Sequence, residues 1–164
     1  MSILEKSRGL ASLGLKATSA LSFVAPLLTR ITLGYAFFLT GRGKLEHFDN
    51  FVGFFRELSI PFPAANAAFV ARLEYYGAIL LVLGLATRLA SAGLLSTMVV
   101  ALLTADRNNF IHSWDPDFEQ GPLDIAAYVN LLLLLWLTLF GPGLASLDAL
   151  IKRWLRIGAE APRS

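Results

Sequence analysis

Three charged residues, Arg30, Arg72 and Glu74, interrupt apolar runs long enough to cross a lipid bilayer. A charge at mid-bilayer costs at least about 2.5–3.5 kcal/mol on insertion scales, so each needs a partner or a function. Counting from the outer helix ends, Arg30 precedes Arg42 by twelve residues (42 − 30) and Glu74 follows Pro63 by eleven (74 − 63). At about 1.5 Å per residue both lie roughly 16–18 Å deep, so an Arg30–Glu74 pair is expected. Glu74 shares a helix face with Ala71, Gly77, Ala78, Leu81 and Gly84, a small-residue stripe that lets helices approach closely and turns Glu74 inward. Arg72 points nearly the opposite way. On the first helix Arg30, Gly34, Phe37 and Gly41 share one face. With Tyr75, Tyr76 and Asn130, the Arg30–Glu74 pair would make a buried polar pocket for the head of an apolar ligand. The alternative is a structural ion pair that fixes helix register. Asn130 alone also reads as an interhelical hydrogen-bonding residue.

Other chemistries find little support. The chain has no cysteine, which removes disulfides, thiolate catalysis and iron–sulfur ligation, so a redox role would need a borrowed electron carrier. His47 and His112 lie near acids in loops, but no HExxH-type spacing joins them, and no metal site is expected. GRGKL at Gly41–Leu45 is too short for a phosphate loop, and no nucleophile elbow is present. No catalytic residue is assigned. Asp106 and Asp124 read as interfacial.

The elements that position these residues are read from composition. Of 164 residues, 55% are hydrophobic and 16% charged, with mean hydropathy +0.60. Both fractions depart from soluble averages toward a lipid-embedded protein, and the net charge of +2 gives no support to nucleic-acid binding. Four stretches are long enough to span: 20–41, 66–86, 89–105 and 123–140. The first continues past any plausible signal cleavage site and is expected to be retained. Only Thr87-Arg88 separates the second from the third, which forces an antiparallel hairpin. Eight Lys and Arg fall in the N-terminal segment, the Arg88 turn and the C-terminal tail, against four in the two long loops. Both termini are therefore expected in the cytoplasm, the chain being a multi-pass protein of a bacterial inner membrane. Between Glu46 and Leu58, Phe48, Phe51, Val52, Phe55 and Leu58 recur at helical spacing, an amphipathic helix on the outer interface. The second long loop is polar and turn-rich. The expected fold is an all-α integral membrane bundle of four transmembrane helices. It comprises a cytoplasmic segment 1–19, a membrane domain 20–151 and a basic tail 152–164.

Four motifs in order, RITLGYAFFLTGRGKLEHF (Arg30–Phe48), LSIPFP (Leu58–Pro63), EYYGAILLVLGLATRLA (Glu74–Ala90) and GPGLASLDALI (Gly141–Ile151), resemble the DoxX family of small bacterial membrane proteins. The resemblance implies a four-helix membrane bundle. By motif it carries the family's residues onto Arg30, Gly34, Gly41, Lys44 and Leu45, onto Glu74, and onto Gly84, Leu85, Thr87 and Arg88. Tyr76-Gly77 replaces the usual glycine pair, and the tyrosine is expected to narrow any cavity beside Glu74. DoxX-like proteins include the membrane subunit of a thiosulfate:quinone oxidoreductase and components of oxidative-stress complexes. The implied function is a membrane subunit of a quinone-linked oxidoreductase. It would anchor a partner protein and lend its Arg/Glu pocket to a quinone, with no covalently bound cofactor. The other reading is a non-catalytic scaffold or a small-solute or ion carrier, with the pair structural or gating. Membrane lipid is a partner in both, and a homo-oligomer is compatible with either.

Overall fold

The computed structural model describes residues 22–155. Among these the regular structure is helical throughout, with no strand. The first helix, α1 (Val24–Glu46), carries Pro26 in its first turn, where a missing amide breaks no internal hydrogen bond. It runs five residues beyond Gly41, because Arg42 pairs with Glu46 at 2.7 Å and Lys44 finds a partner inside the protein. A break at His47 starts α2 (Phe48–Glu57), the amphipathic element expected in this loop, which buries Val52 and Phe55. Pro63 opens α3 (Pro63–Leu83), and Asn66 Nδ2 donates to Pro61 O at 2.6 Å, tying the entry loop to the first turn. The helix closes on Gly84 at φ +68°, with Leu85 N–H donating to Leu80 O in a Schellman arrangement.

The hairpin turn is thus Gly84-Leu85-Ala86, and Thr87 and Arg88 already belong to α4 (Thr87–Leu103). The polar second loop contains a short helix, α5 (Arg107–His112), absent from the expectation. A 3₁₀ turn at Pro122–Asp124 precedes α6 (Ala126–Phe140), and Asp124 folds back to accept from the Gly121 amide at 2.8 Å. Last comes α7 (Leu147–Leu155), which runs across position 151 and takes up Lys152 and Arg153. The segment 1–19 and most of the tail, 156–164, lie outside the described residues.

Helix α1 lies antiparallel along α3, α4 along α6, and α3 against α4. The core between them is built from Leu33, Phe37, Leu81, Leu94, Leu134 and Leu137. A smaller cluster, Val52, Phe55 and Ala67, seats α2 on the first turns of α3. The outward faces are apolar as well: Leu28, Tyr35, Phe69, Val82, Leu103 and Leu139 are all exposed. A water-soluble monomer rarely leaves so many large apolar side chains uncovered. By length and composition α1 and α3 can each cross a membrane; α4 and α6, at 17 and 15 residues, are apolar but shorter.

Candidate functional site

The antiparallel register of α1 on α3 decides which charges meet. A Cβ added to Gly41 would stand 2.5 Å from the Tyr75 backbone nitrogen and 3.0 Å from the Glu74 carbonyl carbon, so the two backbones touch at that level. Gly34 meets the carbonyl of Ala78 one packing layer on, and Arg30 is level with Gly84. Glu74 and Gly84 are ten residues apart on one helix, about 15 Å. The structure therefore does not bring Arg30 and Glu74 together. Counting depth from the helix ends misplaces them because the first turns of α3 pack under α2 rather than along α1.

Glu74 is buried, and its partner is Lys44: Nζ lies 2.6 Å from both carboxylate oxygens. Thr40 Oγ1 donates to Oε2 at 3.3 Å, and the Lys44 ammonium also sits 4.9 Å over the Phe51 ring of α2. Lys44, Thr40, Phe37, Gly41 and Arg30 occupy one stripe of α1, so the stripe was readable at 3.6-residue spacing. Its continuation past Arg42 is hidden in the sequence, because Lys44 reads as a loop residue until the helix is known to continue.

The pair borders two cavities. One, of about 230 Å³, is lined by Thr40, Lys44, Glu74, Asp106 and Asn130 together with apolar residues of α1, α4 and α6. The other, about 90 Å³, lies under α2 beside Phe51 and Phe55, and Thr97 and Thr104 join the ion pair among its largely apolar walls. An apolar cavity of about 150 Å³ holds a benzene ring, so the larger one has room for a ring-sized head but not for a long chain. Its polar groups comprise a cation, two carboxyl groups, a hydroxyl and an amide, drawn from four parts of the chain. Such a set can donate to a carbonyl oxygen from Lys44 or Asn130 and accept or return a proton at Glu74 or Asp106.

The other expected residues lie elsewhere. Tyr75 stacks on Phe38 with centroids 5.0 Å apart, Tyr76 is exposed, and neither lines the larger cavity, so Tyr76 does not narrow it. Gly77 meets Leu94 of α4 at ordinary van der Waals distance. His47 Nδ1 lies 3.2 Å from Gly43 O, and the His112 ring packs near Phe118. Arg30 is buried at the far end of α1, where Nη2 donates to Ala145 O in the loop before α7. Around it gather Gly84, Ser146 and Asp148, whose carboxylate accepts from the amides of Ala86 and Thr87 at 2.8 and 3.0 Å. This second polar centre clamps α7 to the start of α4 and was missed because its partners are remote in sequence.

A profile of the DoxX family matches residues 25–107, α1 through α4. Half of the chain is covered, and the chain belongs to the DoxX family, whose members are membrane proteins. A Bacillus subtilis (strain 168) protein named "Putative oxidoreductase CatD" is 32% identical over 81 residues, which are 49% of this chain and 59% of that protein. The matched stretch thus spans less than two thirds of the relative. No solved structure matches.

Proposed function

We propose that this DoxX protein is the membrane subunit of a quinone-linked oxidoreductase, with the cavity beside Lys44 and Glu74 receiving the quinone head. The observation that carries the reading is a buried carboxylate paired with a half-buried ammonium at a ring-sized cavity that Asn130 and Asp106 also line. Family membership and an oxidoreductase-named relative support it. Reducing a quinone to a quinol takes two electrons and two protons. The electrons would come from the partner protein's own redox group, since this chain has no cysteine for a cluster or dithiol. Lys44 and Asn130 would orient the carbonyl oxygens, and Glu74 and Asp106 would pass protons from the outer side. Four spans in the inner membrane, both termini cytoplasmic, complete the arrangement; the eight-to-four distribution of basic residues supports this orientation. Arg30 takes no part in this site. A scaffold or carrier role is the second reading, favoured by one observation: Lys44 contacts both oxygens of Glu74, satisfying the carboxylate without a ligand.

The test is gentle-detergent purification of the tagged full chain from native membranes, followed by quantification of co-purifying quinones and proteins. Bound quinone together with a dehydrogenase-type partner is the expected result. Asn130→Ala lies outside the ion pair and should lower quinone occupancy about three- to tenfold with the melting temperature nearly unchanged, the cost of one lost hydrogen bond. Glu74→Gln should abolish quinone-linked turnover. A homo-oligomer free of quinone and partner would replace the redox reading with the scaffold.

A further inference from the structure

At the Arg30 end of the molecule, an open groove of about 650 Å³ runs between the start of α4, the end of α6 and α7. Its walls are Leu89, Phe140, Leu144 and Ile151, all well exposed, and two cations stand in it, Arg88 and Lys152. Arg88 is held in place by donating to Leu139 O at 3.2 Å, with its guanidinium packed on Gly141. Among the described residues its remaining N–H groups make no hydrogen bond, which leaves them free for an acceptor in the groove. Asp148 also lines the groove, but its carboxylate is engaged by two backbone amides at the α4 N-terminus. The net character at the mouth is cationic. Helix α7 extends the surface: Leu147, Leu150, Ile151, Trp154 and Leu155 are exposed beside Lys152 and Arg153, the pattern of a helix lying in a headgroup layer.

We propose that this groove binds one anionic phospholipid, its phosphate between Arg88 and Lys152 and an acyl chain along Leu89, Phe140 and Leu144. Charge selects this occupant. The chain's own first 19 residues carry Lys6, Arg8 and Lys16 against one acid, Glu5, and so repel the two groove cations. A second copy would bring the same cationic surface to itself. An anionic lipid is complementary in both parts, and a family of membrane proteins always has it at hand. The proposal stands on the groove alone and does not depend on the quinone reading.

Native mass spectrometry of the full chain, with added dioleoylphosphatidylglycerol or dioleoylphosphatidylcholine, tests it. One phosphatidylglycerol should be retained at concentrations where phosphatidylcholine is not. Lys152→Gln, at an exposed position, should weaken phosphatidylglycerol binding about fivefold, and adding Arg88→Gln should bring the loss to roughly 25-fold, with phosphatidylcholine unchanged. Arg56→Gln, on α2 at the other end, should leave both unchanged. Equal retention of the two lipids, or undiminished phosphatidylglycerol binding in the double variant, would overturn the proposal. As the chain has no cysteine, Leu144→Cys carries a unique benzophenone label. A lipid adduct supports the site, whereas a cross-link to residues 1–19 or to a second copy refutes it.

Discussion

At Gly84 the chain adopts φ +68°, and the space a methyl group would fill is taken by the Arg30 guanidinium and the Ser146 side chain. Gly84→Ala therefore combines left-handed strain with displacement of a buried cation. It should destabilise the protein by at least about 2 kcal/mol, read as a thermal shift in detergent. Gly53→Ala, in the middle of α2 with open space around it, should be neutral or stabilise by up to about 1 kcal/mol. Opposite signs from one chemical change would show that the constraint is the left-handed, filled site at Gly84 and not glycine loss as such. Legibility at this scale divides cleanly. Burial of Glu74 on a small-residue face and burial of Arg30 were both readable, because an intramembrane charge among glycines and alanines can only face protein. Their partners were not: pairing depends on helix register, which is set by where Gly41 meets Tyr75 and by α2 taking the first turns of α3. No count along one helix contains that information.

Among the elements, α7 is held at its root. Asp148 accepts two amide hydrogen bonds from the start of α4, and its own N–H donates to Gly84 O at 3.0 Å. Asp148→Ala leaves those amides without their acceptor and should cost about 1–3 kcal/mol. Faster protease cleavage between Gly143 and Leu155, with the remainder of the chain protected, is the measurement that checks it. Undisturbed α7 protection would mean that Arg30 and the headgroup layer alone hold the helix. The long apolar helices were legible from the length of their apolar runs, and α2 from its strong helical periodicity. Helix α5 was not, since RNNFIH is short and polar and its surroundings read as turn. Nor was the junction at 151, where basic residues looked like a solvated tail but continue an amphipathic helix whose apolar face begins at Leu147.

For the molecule as a whole, the proposed four crossings would place residue 118 and residue 164 on opposite sides of the membrane. Reporter fusions near Phe118 and at Ser164 should accordingly give opposite signals in whole cells, and same-side signals would remove α6 from the bilayer and overturn the four-span reading. The short α6 makes this the informative pair, because its 15 residues cover only about 22 Å. One further property follows from the stripe on α1. Lys44 engages the ring of Phe51 in α2, and Arg30 engages the loop that launches α7, so a single rigid helix sets the distance between the two surface helices. Fourteen residues separate these grips, about 21 Å along the axis, less than the ~30 Å of an average hydrocarbon core. Sliding one grip would uncover the buried Arg30, and sliding the other would pull Lys44 from the buried Glu74. Any difference in thickness must then be absorbed by the surrounding lipid, and the protein will be most at ease where the bilayer is thin.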